Sequence, residues 1–235
     1  MQSQFENKYK NTVAFYDAIA EGYNKTLEGD HSSREVRRIV ADYFIKTVKG
    51  KVVLDFGGGT GLDLPWLLEN NYRICFCEPS ANMRNHAIEF CKPAMAEKRI
   101  RFLDNGEVDF RNWRATTSKQ KFDAVLANFA VINSIEQTDI LFEKLVEILK
   151  PGGHIIATML DTTVMGILKY RKRNFMNALL KGEAAVLVTM ENNYEHVSYL
   201  HTPGKIKQSA RQFICRNIQP LYGFGFMLVH LQLNQ

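Results

Sequence analysis

The sequence predicts an α/β protein built on a doubly wound, seven-stranded, mostly parallel sheet with an antiparallel last strand. Three observations carry that expectation. Short β-branched apolar runs alternate with helical periodicity from residue 51 to 160, the pattern of a parallel sheet covered on both faces. The first of those runs stops abruptly in Gly57-Gly-Gly-Thr-Gly61, a tight turn between a strand and a helix. The chain closes with two strand-like runs, 213–222 and 226–233, joined through Gly223-Phe-Gly225, and so short a turn pairs its strands antiparallel.

The elements follow in order. Two helices precede any strand: Phe15, Ile19 and Tyr23 recur every four residues, and a second helix opens at Ser32-Ser33, good N-cap residues. That second helix carries Val36, Ile39, Val40, Tyr43 and Phe44 toward Gly50. A strand over 51–56 leads into the glycine turn, and Leu64, Trp66, Leu67 and Leu68 continue as helix. Next come a strand over 73–77, a helix over 81–90, strands over 100–103 and 122–127, a helix over 137–149 and a strand over 154–160. After Leu160 the pattern changes to a basic helical segment over 163–181, with Val164, Leu168, Phe175 and Leu179 on one face. Two strand-like runs over 185–190 and 196–200 complete what reads as an insertion. Thr202-Pro203 starts a further helix, with Thr as N-cap and Pro in the first turn. The expected organisation is one domain: a helical cap (1–50), a core (51–161), an inserted lid (162–201) and closing elements (202–235).

With 235 residues, 46% hydrophobic and 23% charged, the composition is that of a globular protein and excludes collagen-like, disordered and disulfide-scaffold classes. The first ten residues are too polar for a signal peptide and no stretch approaches the roughly 20 apolar residues that span a bilayer, which predicts a cytoplasmic protein with no membrane partner. Of the four cysteines, Cys75 and Cys77 would share one strand face, and neither they nor Cys91 and Cys215 make a zinc-ligand pattern. No metal is expected. A net charge of +5 permits an anionic partner without arguing for one.

A glycine turn between strand and helix brings backbone amides close to a ligand at a helix N-terminus. The dinucleotide pattern G-x-G-x-x-G fails here, because Gly57 and Gly59 are followed by Leu62 where the third small residue belongs. This disfavours a nicotinamide oxidoreductase. A phosphate-binding loop needs Gly-Lys-Ser/Thr, and none follows. The string that does fit is D-x-G-x-G-x-G, made by Asp55, Gly57, Gly59 and Gly61. It resembles motif I of the class I S-adenosylmethionine-dependent methyltransferases.

Companion features stand in that family's order. Glu78 lies 23 residues beyond Asp55 at the end of the next strand, where a carboxylate accepts both hydroxyls of a ribose. The resemblance implies that role for Glu78, places Pro79 beside it, and implies that Met83 packs on the adenine. The third strand runs out in Leu103-Asp-Asn105-Gly106-Glu107, which by resemblance meets the adenine edge through Asn105, Gly106 and Glu107. The fourth strand and its tip, with Asn128 and Phe129, resemble motif IV, and Leu149-Lys-Pro-Gly-Gly153 resembles the turn before the fifth strand. In Ala20-Glu-Gly-Tyr23 the family's tyrosine lies over the methionine end of the cofactor, and Tyr16 shares that helical wall. Gly58 stands where many members carry cysteine or alanine, a difference that loosens the turn without blocking binding. Asn128-Phe-Ala-Val131 lacks the Asn/Asp-Pro-Pro-aromatic signature of base amino-methylases.

What the resemblance implies is an S-adenosylmethionine-dependent methyltransferase, leaving S-adenosylhomocysteine as product. The acceptor expected is an O, N or C nucleophile of a small metabolite, attacked in line. Two alternatives remain: an RNA or protein methyltransferase using the basic run Lys169-Tyr-Arg-Lys-Arg173, and a non-catalytic S-adenosylmethionine-binding module. The same basic run would suit an acidic carrier domain presenting the substrate, and nucleic acid ranks below a small molecule. His31, Tyr194, His196 and His201 are the titratable groups near the acceptor side, but none stands in a motif, so no catalytic residue is assigned.

Overall fold

A computed structural model describes residues 2–113, 121–163, 186–191 and 193–235. Its sheet has seven strands: β1 (Val52–Phe56), β2 (Arg73–Cys77), β3 (Ile100–Phe102), β4 (Phe122–Ala127), β5 (Leu149–Leu160), β8 (Phe213–Leu221) and β9 (Phe226–Leu233). The order across it is β3-β2-β1-β4-β5-β9-β8, with β1 to β5 mutually parallel and β9 antiparallel to both neighbours. The strand order therefore reverses between β1 and β4, and in open α/β sheets ligands gather in the crevice at such a point, beyond the carboxyl ends of the strands. A separate hairpin is formed by β6 (Val186–Glu191) and β7 (Tyr194–Tyr199).

Alternation along the strands builds two cores, one on each face. Leu54, Val125, Ala127, Ile155 and Leu231 pack with α5 (Thr138–Ile148) and α6 (Pro203–Ser209). Val53, Ala124, Leu126, Ile156 and Leu228 pack on the other side against α2 (His31–Thr47), α3 (Leu64–Glu69) and α4 (Ala81–Ala96). All five residues of β1 are buried, as a central strand covered on both faces requires. Cys77 lies in the first core with Cys75 packed against it, so the two thiols do share a face.

Several boundaries differ from the sequence expectation. The cap of α2 is Asp30 rather than Ser32 or Ser33: its carboxylate accepts from both the backbone N–H and the hydroxyl of Ser33, each at 2.7 Å. A carboxylate satisfies two donors where a serine hydroxyl would satisfy one. The fourth helix extends to Ala96 with Pro93 inside it, and β5 starts at Leu149, because Leu149 pairs with Phe122 across a bulge before His154 resumes the ladder at Ala124. The first helix, α1, runs unbroken over Gln2–Gly29. Beyond residue 163 the helix expected in the insertion, with the run Lys169 to Arg173, lies outside the described residues.

Away from the crevice, a chain of partly buried polar groups links α2 to the sheet. The Tyr43 hydroxyl and His230 Nδ1 are 3.0 Å apart, and His230 Nε2 and His154 Nδ1 are also 3.0 Å apart. Burial holds both imidazoles below their ordinary range, with Arg216 adding to the effect, and His230 is pushed down to about 4. A histidine with a depressed folded-state pKa stabilises the fold above its unfolded value of about 6.5, and that stability is lost as pH falls through the folded value. Urea unfolding should therefore show a loss of about 1–2 kcal/mol between pH 6.5 and 4 that His230→Gln reduces. An unchanged acid slope in the variant would show that these rings do not set it.

Candidate active site

The glycine turn after β1 combines two different needs for glycine. Gly57, Gly59 and Gly61 have φ of +69°, +59° and +85°, a region L side chains rarely adopt. Gly58 does not; there the constraint is space, since a Cβ would lie 2.2 Å from a ring carbon of Phe76 and 2.8 Å from Asp55 Oδ2. Asp55 itself is buried beneath the turn, and its Oδ2 has no hydrogen-bond partner among the described residues. Burial pushes its carboxyl well up, with the Asp63 and Glu78 charges adding to the effect.

Glu78 sits at the tip of β2 with its carboxylate turned toward the glycine turn. Oε2 accepts from Gly59 N at 2.9 Å and Oε1 from Ser80 N at 2.8 Å. Burial raises its carboxyl to about 7, against those two backbone bonds and the charge of Arg84. Ser80 then caps α4, accepting from Met83 N at 3.2 Å, which sets Met83 facing the same space.

The tip of β4 is held in an unusual conformation. Phe129 and Ala130 have φ of +57° and +62°, a left-handed pair of the kind that persists only where neighbours enforce it. Thr158 on β5 does so: its hydroxyl accepts from Phe129 N at 2.7 Å and donates to Asn128 Oδ1 at 2.7 Å, while its carbonyl accepts from Ala130 N at 3.0 Å. Asn128 Nδ2 reaches Asp63 at 3.1 Å, and Arg37 binds the same carboxylate at 2.5 Å while lying 4.4 Å over the Phe129 ring.

Helix α1 forms the roof. Tyr9, Tyr16 and Tyr23 recur every seven residues and all line a cavity of about 190 Å³ beneath it. Four polar contacts hold the roof down. Asp17 accepts from Ser80 Oγ at 2.5 Å and Asn82 N at 3.0 Å, Lys8 pairs with Glu136 at 3.0 Å, and Thr60 donates to Asn24. The Tyr199 hydroxyl of β7 donates to the same Glu136 at 3.2 Å, so the hairpin closes the far side.

Of the residues singled out in the sequence, Tyr16, Tyr23, Gly57, Gly58, Gly59, Glu78, Pro79, Met83, Asn128 and Phe129 line this cavity. Asp55 and Gly61 lie behind its wall, the latter with Leu64 and Ala87 in the space a Cβ would take. Asn105, Gly106 and Glu107 do not line it. Asp104 Oδ1 accepts from the backbone N–H groups of Gly106 and Glu107 in a tight turn, Asn105 takes a bond from Arg84, and Glu107 pairs outward with Arg101. The chain after that turn supplies the wall instead, through Val108, Phe110 and Arg111.

None of the four titratable candidates on the acceptor side lines the cavity. On β7, Val197 and Tyr199 face it, so strand alternation sends His196 and Ser198 to the other face, where they lie 3.2 Å apart. His196 is buried against Phe15 and Tyr16, with ring centroids at 5.3 and 5.2 Å, and burial lowers its pKa. His201 is bonded to the Ile135 carbonyl at 2.8 Å, while Tyr194 and His31 are exposed. The sequence reading missed Lys8, Tyr9, Arg37, Asp63, Glu136 and Tyr199. Only Tyr9 left a signal, its seven-residue spacing from Tyr16.

A family profile described as a methyltransferase domain matches residues 28–218. An uncharacterized methyltransferase of Geobacillus kaustophilus is 30% identical over 147 residues, which are 60% of this chain and 63% of that protein, so the chain spans less than two-thirds of that relative. A demethylmenaquinone methyltransferase of Clavibacter sepedonicus is 21% identical over 202 residues, 84% of this chain and 78% of its own. Among solved structures, a DhpI–S-adenosylhomocysteine complex superposes with a TM-score of 0.67 at 15% identity, over 96% of each chain. The Burkholderia thailandensis 1,6-didemethyltoxoflavin-N1-methyltransferase, with 1,6-didemethyltoxoflavin and S-adenosylhomocysteine bound, gives 0.65 at 12% identity, over 98% of this chain and 90% of its own. Those two likenesses concern the fold. With the profile match extending over most of the chain, on a sheet of the expected order, the chain belongs to the methyltransferase-domain family.

Proposed function

We propose that this protein moves a methyl group from S-adenosylmethionine to an O, N or C nucleophile of a small metabolite. The observation that carries the reading is the buried Glu78 carboxylate at the tip of β2, facing the glycine turn inside a roofed cavity at the switch point. The residues present suit a cationic adenosyl ligand. Asp55, Asp63 and Glu78 surround the turn, Arg37 is already paired with Asp63, and Asp55 Oδ2 is an orphaned buried acceptor. Of the acidic residues that line the cavity, Glu136 and Asp63 are paired with Lys8 and Arg37, which leaves the Glu78 carboxylate to face a positive charge. The bound cofactor supplies a methyl on a sulfonium centre, passed in line to the acceptor's electron pair as the carbon–sulfur bond breaks.

The chain's own contributions are binding, orientation and exclusion of water. Glu78 accepts the ribose hydroxyls, Pro79 and Met83 with Val108 and Phe110 enclose the adenine, and Arg37 faces the carboxylate of the methionine end. Tyr16 and Tyr23, over Gly57 to Gly59, cover the reacting sulfur, and the acceptor occupies the side walled by Val13, Ile135, Val197 and Tyr199. The α1 roof keeps water away from a step in which a cation's charge is dispersed. No helix among the described residues is long and apolar enough to cross a membrane.

Calorimetric titration of ligand-stripped protein with S-adenosylmethionine, S-adenosylhomocysteine and NAD tests the cofactor. Micromolar binding of the two sulfur ligands and none of NAD is expected. Binding of NAD alone would return the sheet to a dehydrogenase reading. Methyl transfer to small-molecule extracts, set against RNA and protein, then separates the acceptor classes; a nucleic-acid acceptor would show a steep salt dependence of binding.

A further inference from the structure

Arg84 follows Met83 on α4 and is only 9% exposed. One guanidinium nitrogen donates to the backbone carbonyl of Glu78 and another to the side-chain oxygen of Asn105. A full positive charge is thus buried between the tips of β2 and β3. Among the described residues its hydrogen bonds go to these neutral oxygens and to no carboxylate. A buried guanidinium held this way is unfavourable unless its charge serves a neighbour. The neighbour is the Glu78 carboxylate, whose ionised form Arg84 favours.

The backbone N–H groups of Gly59 and Ser80 also favour the ionised form, and the cavity's cations Lys8, Arg37 and Arg111 are engaged with Glu136, Asp63 and Asp109; the remaining groups acting at Glu78 oppose its charge or are neutral. Asp17 approaches from α1, Asp55 from β1, and the Cys77 thiol lies beside it on β2; the phenols of Tyr9, Tyr16 and Tyr23 hang from the roof. Geometry adds a second effect. By holding the Glu78 carbonyl, Arg84 fixes the backbone from which the side chain turns to Gly59 N and Ser80 N. By holding Asn105 it ties the same point to the turn after β3.

We propose that Arg84 is a positioning residue, which aims the Glu78 carboxylate at the glycine turn and keeps it charged for an adenosine ribose. The proposal rests on the reading of Glu78 as the ribose acceptor. A ribose hydroxyl donates to an ionised carboxylate, so binding releases the proton that Glu78 holds below its midpoint. Affinity then rises with pH up to that midpoint and flattens above it.

The test is the affinity of the full chain for S-adenosylhomocysteine between about pH 5.5 and 9, in wild type, Glu78→Gln, Arg84→Met and Arg84→Lys. Wild type should flatten near pH 7, and Glu78→Gln should lose the slope. Arg84→Met should move the midpoint up by about one pH unit and weaken binding about fivefold at about pH 7 and about tenfold at the acid end, with recovery at the alkaline end. Arg84→Lys, which keeps the charge, should leave the midpoint in place. Should Arg84→Met fail to fold, Arg84→Gln reads the same quantity, because its amide keeps a hydrogen bond and drops the charge. A slope persisting in Glu78→Gln overturns the ribose reading itself. A flat Glu78→Gln curve with an unmoved midpoint, and equal loss at every pH, in Arg84→Met overturns only the role of Arg84.

Discussion

Glu78→Ala is expected to weaken S-adenosylmethionine binding by about 1.5–3 kcal/mol, the scale for losing charge-assisted hydrogen bonds to a buried carboxylate. Both carboxylate oxygens are already committed to backbone donors, Gly59 N at 2.9 Å and Ser80 N at 2.8 Å, so the side chain is preorganised and binding need not reorder it. The substitution also acts on the ligand-free fold, with a sign that can be worked out. Because burial raises this carboxyl to about 7, its stabilising contribution is fully present below the unfolded value, near pH 4.3, and is lost as pH rises through about 7. The alanine variant should lack that decline. Thermal melts at acid and alkaline pH, run beside the calorimetry, separate a binding defect from a folding one. If the variant binds as tightly as wild type, another group holds the ribose.

Gly58→Ala should cost about 1–3 kcal/mol of stability, the range for forcing an extra carbon into a packed core. The added methyl would stand 2.2 and 2.6 Å from two ring carbons of Phe76, and 2.8 Å from a carboxylate oxygen of Asp55. Phe76 has nowhere to go, being fully buried and packed against the tilted ring of Phe102, with centroids 5.0 Å apart. Many members of the family that the sequence resembles carry cysteine or alanine at this position. In this chain the room those side chains would use is filled by phenylalanine from the neighbouring strand. A double-mutant cycle decides the matter: in a Phe76→Leu background the cost of Gly58→Ala should fall by about 1 kcal/mol or more. Additive costs would mean that the turn, not the ring, resists the methyl. Because Gly58 lines the cavity, cofactor affinity should fall with stability in the single variant and recover with it in the double.

The strand, turn and helix order was legible because it depends on local pattern. Five buried residues in β1, three glycines at positive φ and a carboxylate at the tip of β2 are each written in short segments of chain. The antiparallel closure of β9 was legible for the same reason, since Gly223-Phe-Gly225 admits little else. The start of α2 was misplaced because Asp30 and Ser33 cap together, and the turn after β3, folded by Asp104, holds Asn105, Gly106 and Glu107 off the cavity lining.

Local periodicity and turn chemistry thus establish the parallel sheet and its glycine turn, and the family resemblance adds the candidates Glu78, Met83, Tyr16 and Tyr23. Folding establishes what meets across long separations in the chain: Lys8 with Glu136, Asp17 with Ser80, Arg37 with Asp63, and Asn128 with Thr158. The same holds for which face of β7 turns to the cavity, and for Phe76 filling the space beside Gly58. The physical reason is one of range: a dihedral preference or a 3.6-residue period acts within a few residues, whereas an ion pair or a close contact exists only after packing brings two distant segments together.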